Sequence, residues 1–144
     1  MTIRATVIAF VFVVSSVLAL SQSAERSAIL DASRSYFEPI IGGRLIFKVS
    51  TLKQKNNWAF LIAQPLRPGN RRIDWAATRF AEDVEAGAFD EEVIVLLKKS
   101  EKRWRAVIGV VGATDVPFGC WWKTYGAPKA IFTYVEDDCS YLVE

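Results

Sequence analysis

The chain has 144 residues, of which 51% are hydrophobic and 24% charged, and its formal net charge is +2. This composition is typical of one globular domain and excludes a disordered chain. The near-neutral charge argues against a nucleic-acid partner, and the absence of histidine excludes a Ser-His-Asp catalytic set.

Residues 1–21 have the pattern of a secretory signal peptide. A single charge, Arg4, precedes an apolar stretch over residues 5–20 that ends in small residues. We expect cleavage near residues 21–24, which leaves 22–144 as one periplasmic or secreted domain. Loss of Arg4 leaves 17 bases against 16 acids, a net charge of +1. The alternative is an uncleaved N-terminal anchor, because a membrane span needs only roughly 20 apolar residues.

The exported part begins with an amphipathic pattern over residues 23–40. Apolar residues recur there at three- and four-residue steps, which predicts one helix. We expect Pro39 to restrain Glu38 from helical geometry, and Gly42-Gly43 to end the element.

Two strands are predicted next. Alternating β-formers over residues 44–52 indicate a half-buried strand, and a polar turn follows at 53–57. Residues 58–66 are apolar on both faces, which is typical of a central or covered strand.

The middle of the chain is less regular and unevenly charged. We expect a short edge strand over 71–75 and a covering loop with a helical turn or two over 76–91. Residues 44–79 hold eight bases and one acid, whereas six acids lie within 82–92. The basic strip could meet an anionic envelope polymer or an acidic protein, but solvated surfaces explain both runs more simply.

Residues 92–122 form the stretch around which the chain is organised. Apolar runs at 93–97 and 104–111 flank a charged turn at 98–103, which predicts a β-hairpin. A Gly-Ala-Thr-Asp-Val-Pro loop, a short helix that Gly126 ends, and an acidic tail at 136–144 follow.

One helix followed by four or more antiparallel strands predicts an α+β fold, in which a curved sheet wraps the N-terminal helix. This order is similar to the cystatin-like and nuclear-transport-factor-2-like rolls, and the alternatives are a flat three-layer arrangement or a small barrel. Three short motifs carry a family resemblance: Trp58-Ala59-Phe60 with Pro65, Gly112-Ala113-Thr114-Asp115-Val116, and Trp121 with Tyr125-Gly126-Ala127-Pro128 and Ile131-Phe132. With them the chain resembles a group of uncharacterised exported bacterial proteins of about this size. This resemblance implies no activity, substrate or catalytic residue.

Both cysteines, Cys120 and Cys139, lie in the exported part. An even pair in an oxidising compartment predicts one disulfide, which contributes about 3 kcal/mol in the chain-entropy model. The alternative is a reactive or metal-binding pair, for which the chain has no histidine to complete a site.

Five residues are candidates for a binding surface. Asp115 occupies a corner where a carboxylate could meet a ligand or act as a base, although an acid at such a corner usually caps backbone N–H groups. Of the five tryptophans, we expect Trp75 and Trp122 to be exposed, and at most one of the pair at 121 and 122 to be buried. Arg71 and Arg72 provide an exposed basic edge. We predict no catalytic residue, no metal ligand and no cofactor.

The hypothesis that fits these features best is a non-enzymatic exported domain that binds an envelope or periplasmic protein, as an inhibitor or immunity-type protein does. A second hypothesis is a small-ligand carrier or enzyme with a pocket near Asp115, which requires an interior not filled by Trp58, Phe60, Phe47 and Ile108. A third is a membrane-tethered structural subunit. After leader cleavage we expect no stable membrane span.

Overall fold

The computed structural model describes residues 6–142, so the first five residues of the predicted leader and the last two of the acidic tail lie outside it. The main elements are a long helix and four strands: α1 (Thr6–Ile41), β1 (Ile46–Lys55), β2 (Trp58–Leu66), β3 (Val93–Ser100) and β4 (Arg103–Val111). Two short helices, α2 (Ala81–Glu85) and α3 (Trp121–Tyr125), and three turns of 3-10 helix complete the chain.

The four strands form one open antiparallel sheet in the order β1-β2-β3-β4. The α+β class is therefore confirmed, as is the hairpin formed by β3 and β4. β2 and β3 are the central strands, and seven of the nine residues of β2 are buried. This agrees with the expectation that residues 58–66, with apolar side chains on both faces, form a central or covered strand. Residues 93–97 of β3 are all buried as well.

Two-residue turns join β1 to β2 and β3 to β4. Asn56 and Asn57 have φ of 52° and 63°, and Glu101 and Lys102 have φ of 49° and 63°. Positive φ at both central residues matches the right-handed twist of paired strands. The longer polar turns predicted at 53–57 and 98–103 were therefore wrong, because their outer lysines continue the strands with exposed side chains.

The sheet separates two hydrophobic cores. The α1-side core contains side chains of the helix, of the segment 73–89 and of one sheet face, including Ile29, Phe37, Leu61, Trp75, Val95, Leu97 and Trp104. On the opposite face the C-terminal segment forms the second core, which includes Trp58, Phe60, Ile94, Leu96, Phe118, Trp121, Ile131 and Phe132. The structure thus has three layers, with the sheet in the middle.

Helix α1 extends through Pro39, contrary to the expectation that proline would restrain its neighbour from helical geometry. Phe37 and Ile41, on either side of Pro39, are buried against the sheet, and this packing keeps the last turn helical. Gly42, with φ of 84°, ends the helix, and its amide donates to the carbonyl of Glu38 with 2.8 Å between N and O. The predicted glycine stop is confirmed.

The edge strand predicted at 71–75 was wrong. Arg67 and Arg71 instead pair with each other across a tight turn, with N to O distances of 2.8 and 3.2 Å, so their backbone groups are satisfied locally. A 3-10 turn at Trp75–Ala77 and helix α2 follow, which agrees with the predicted covering loop. Within the part of the chain that the structure describes, no helix combines the length and apolar character that a membrane span requires.

Candidate functional site

The five candidate binding residues do not form one surface. Trp75 packs in the α1-side core, and Arg71 and Arg72 precede it on the same segment. Trp122 packs against the core on the opposite face of the sheet, and Asp115 lies in the loop that leads to that layer. The sheet therefore divides the candidates into two groups.

Trp75 is buried, with 5% of its surface exposed, so its predicted exposure was wrong. The chain turns back after it and places two phenylalanines around the indole. The ring centroids of Phe80 and Phe89 lie 5.9 and 4.8 Å from that of Trp75. The three rings form an aromatic cluster that attaches the segment to the sheet.

Arg71 and Arg72 are exposed, as predicted, and both contact their own segment or its neighbour. Arg72 Nη2 donates to both carboxylate oxygens of Glu91 at 3.0 Å, with 77% and 36% of the two side chains exposed. Arg71 Nε donates to the carbonyl of Pro68 at 3.2 Å. Because exposed ion pairs contribute little to stability, the Arg72 pair serves mainly to orient the two side chains.

The predicted disulfide between Cys120 and Cys139 is confirmed, and both residues are buried. It ties the end of the chain to the start of α3. Trp121 is buried and Trp122 half-buried, which agrees with the expectation that at most one would be buried, although Trp122 is less exposed than predicted. Trp122 Nε1 donates to the carbonyl of Glu136 at 3.3 Å, and Lys129 Nζ lies 3.8 Å from the ring centroid. An ammonium group therefore already covers one face of this indole.

Beside the disulfide is a cleft of about 330 Å³, which we call the C-terminal cleft. It is lined by Val116, Pro117, Gly119, Cys120, Trp121, Thr124, Tyr125, Glu136 and Tyr141. Val116 and Tyr141 are large side chains at its wall, and 45% and 66% of their surfaces are exposed. The cleft thus combines aromatic and aliphatic walls with one carboxylate.

Glu136 is held in the C-terminal cleft from two directions. Its amide donates to the carbonyl of Gly119 at 2.9 Å, and its Oε2 accepts a hydrogen bond of 2.6 Å from Tyr141 Oη. A β-carbon at residue 119 would lie 2.7 Å from Glu136 Oε1, so any larger residue there would displace the carboxylate. The carboxylate has lone pairs left for a further donor.

The same contacts shift two ionisable groups near the cleft. The hydrogen bond to Glu136 raises the pKa of Tyr141 above its ordinary value, because it favours the protonated phenol. Hydrogen bonds from the Ser140 side chain and amide lower the pKa of Asp138, because they favour the carboxylate. Asp138 and Tyr141 belong to the acidic tail, whose role the sequence left open.

Asp115 is exposed beside the cleft, where its neighbours Val116 and Pro117 form part of the wall. A role as a base required burial of this carboxylate, and Asp115 is not buried. The interior of the protein is occupied by its own side chains: Trp58 and Phe60 are buried, and Phe47 and Ile108 are half-buried in the two cores. Among the described residues, no group of three or more His, Cys, Asp or Glu side chains could hold a metal ion.

A larger and more open groove, of about 740 Å³, lies between α1 and the start of β1. Three of its charged side chains already contact the chain itself. Arg34 forms an ion pair with Asp31, and Glu38 accepts a hydrogen bond of 2.9 Å from the Leu45 amide. The C-terminal cleft, with its exposed Tyr141 and Val116, is the better candidate for recognition.

Sequence reasoning missed Glu136, Tyr141 and Tyr125 as members of one site. The only signal was the position of Cys139 in the tail, since a disulfide to Cys120 returns that tail to α3. Comparison of the chain with protein-family models, curated proteins and solved structures finds no match.

Proposed function

We propose that the chain is a non-enzymatic exported domain that binds an envelope or periplasmic protein through the C-terminal cleft, as an inhibitor or immunity-type protein does. The observation that carries the proposal is the pair of exposed side chains, Val116 and Tyr141, beside a disulfide-fixed wall. Tyrosine is enriched in protein interfaces, where it offers a large contact area and a polar hydroxyl.

The disulfide makes this surface suitable for binding because it limits motion before a partner arrives. A wall already held in its bound geometry loses less conformational entropy on association than a flexible tail does. A cleft of about 330 Å³ has room for one or two side chains of a partner loop rather than for a whole helix. The free lone pairs of Glu136 favour a loop that presents Lys, Arg or a backbone N–H.

Export is part of the same proposal, and the packing of α1 supports it. Residues 17–24 are exposed, whereas Glu25 contacts β3 and β4 and Ile29 is fully buried. Cleavage near residues 21–24 would therefore remove none of the packing that begins at Glu25. The buried disulfide also suits an oxidising compartment.

The relation to cystatin-like and nuclear-transport-factor-2-like rolls also remains a proposal. Its support is a long helix that lies on one face of an open antiparallel sheet in which consecutive strands are neighbours.

The test is affinity capture from an envelope extract with the oxidised chain that begins at Gln22. We expect one protein to be retained in stoichiometric amount, and Tyr141→Ala and Val116→Asp to abolish its retention. Tyr134→Ala is the matched control, because Tyr134 is 52% exposed but lies outside the cleft. Retention of the same protein by the wild type and by both cleft variants would refute the proposed site. N-terminal sequencing of the exported chain tests the cleavage, which an intact residue 1 would contradict.

A further inference from the structure

A cluster of basic side chains lies at the end of the sheet where the two hairpins turn. Strand pairing places Lys55 opposite Trp58, Trp58 opposite Lys98, and Lys98 opposite Arg105. These four residues form one row across the sheet and share one face, because paired residues project to the same side. Two further basic residues, Lys53 and Arg103, lie within two residues of this row. The cluster, which we call the basic tip, comprises Lys53, Lys55, Lys98, Arg103 and Arg105.

Side-chain alternation puts the remaining two members on the same face as the row. Lys53 is two residues from Lys55, and Arg103 is two residues from Arg105, so each pair projects to one side of its strand. All five members are exposed. Lys98 Nζ lies 4.9 Å from the ring centroid of Trp58, and this buried indole lies beneath the cluster.

The charges of the basic tip are not balanced by ion pairs. The described ion pairs join Arg34 to Asp31, Arg72 to Glu91 and Lys99 to Glu25, and the five side chains take part in none of them. Since the exported chain carries a net charge of +1, five positive charges here leave −4 for the rest of it. The cluster is therefore a local feature and not a consequence of the overall charge.

The N-terminal sequence leaves the domain at this same end. Glu25 accepts hydrogen bonds from Lys99 Nζ at 2.8 Å and from Trp104 Nε1 at 3.0 Å, whereas Tyr36 contacts Gly109. The steps from 25 to 36 in the helix and from 104 to 109 in the strand both span about 16 Å. Helix α1 therefore runs alongside β4, and residues 17–24 continue toward the level of the hairpin turns and beyond it.

We propose that the basic tip docks on the anionic phospholipid headgroups of the membrane that the chain crosses during export. The apolar N-terminal sequence emerges at the same end of the sheet as the tip, from the opposite face, so this end of the domain faces the membrane surface while that sequence is inserted. Cleavage near residues 21–24 adds a positive amino terminus at the same end. Anionic headgroups complement this surface in charge, and their attraction acts over a Debye length of about 10 Å at 0.1 M salt.

The inference rests on the proposed export but concerns a different surface from the C-terminal cleft, so a loss of vesicle binding and a loss of partner retention are distinguishable outcomes. Each Lys or Arg close to an anionic membrane surface increases partitioning roughly fivefold. Removal of four such charges is therefore expected to lower vesicle binding by about 100-fold or more.

The experiment is co-sedimentation of the chain that begins at Gln22 with vesicles of phosphatidylcholine, alone or mixed with phosphatidylglycerol. That chain retains all the packing of α1 from Glu25 onward. We expect binding to the mixed vesicles that weakens as salt is raised, and little binding to the neutral ones. The variant K53Q/K55Q/R103Q/R105Q should lose binding to the mixed vesicles, and the charge-retaining variant K53R/K55R/R103K/R105K should keep that binding.

The matched control is R44Q/R71Q/R72Q/R79Q, which removes four exposed charges near the opposite end of the sheet. It should bind within about threefold of the wild type, because charges farther than a Debye length from the membrane are largely screened. Equal losses in the two glutamine variants would overturn the proposal, as would equal binding to neutral and anionic vesicles. Binding to a soluble sulfated polysaccharide without binding to anionic vesicles would also overturn it.

Discussion

The amide of Gly109 donates a hydrogen bond to the phenolic oxygen of Tyr36, with 3.2 Å between N and O. The tyrosine ring occupies the space that a side chain at residue 109 would need, since a β-carbon there would lie 2.5 Å from Tyr36 Cε1 and 2.9 Å from Phe37 Cζ. This contact sets how closely α1 approaches β4.

We predict that Gly109→Ala lowers the free energy of unfolding by about 1–3 kcal/mol, because overpacking pushes α1 away from the sheet. Urea unfolding followed by tryptophan fluorescence measures the loss. Tyr36→Phe is the comparison, since it removes only the hydrogen bond and should cost about 1 kcal/mol.

A double-mutant cycle separates the clash from other effects of alanine at this position. In a Tyr36→Ala background the penalty of Gly109→Ala should shrink, because the nearest clashing ring is gone and only Phe37 remains. An unchanged penalty would show that the tyrosine ring does not limit the approach of the helix.

The disulfide should contribute substantially to stability. It closes a loop between residues 19 apart in sequence, and the Cys120→Ala/Cys139→Ala variant is expected to lose about 3 kcal/mol of unfolding free energy. Chemical denaturation with and without a reducing agent provides the measurement. Reduction should destabilise the wild type and leave the alanine variant unchanged; a wild type insensitive to reduction would contradict the prediction.

The two tryptophans that share a predicted exposure should respond differently to truncation. Trp75→Ala removes a buried ring between Phe80 and Phe89, and we expect a loss of about 3–5 kcal/mol. Trp122→Ala removes a half-buried ring whose partners are Lys129 and a carbonyl, so its loss should stay below about 2 kcal/mol. Denaturant midpoints of the two variants test this order, and equal losses would contradict it.

The sequence was most informative where burial is complete. Residues 58–66 and 93–97 have apolar side chains on both faces, which only a covered strand accommodates, and both strands were correctly predicted. The ends of the hairpins were not, because Lys53 and Lys98 carry turn-like polarity while their backbones remain paired. Polarity there reports exposure rather than chain reversal.

The candidate site depended on contacts that no local pattern encodes. Residues distant in sequence decide whether a tryptophan is exposed. Phe89, for example, packs against Trp75 and helps to bury it. Glu136 and Tyr141 meet beside α3, where the bond from Cys139 to Cys120 and the hydrogen bond from the Glu136 amide to Gly119 hold the tail. The cysteine pair was visible in the sequence, but the side chains that it brings to the cleft were not.

The C-terminal cleft should change at alkaline pH. The hydrogen bond to Glu136 raises the pKa of Tyr141, so the phenol remains protonated beyond its ordinary value near 10. A raised pKa means that the pair stabilises the folded cleft fully below the unfolded value, and that this contribution is lost as pH rises through the folded one. Above that range the tyrosinate can no longer donate and repels the carboxylate.

NMR titration of the Tyr141 ring should show this raised pKa, and Glu136→Gln should return it toward the ordinary value. The same substitution also removes the repulsion between the tyrosinate and the carboxylate at high pH. An identical titration of Tyr141 in the wild type and in Glu136→Gln would contradict the prediction. It would show that the carboxylate does not accept a hydrogen bond from the phenol in solution.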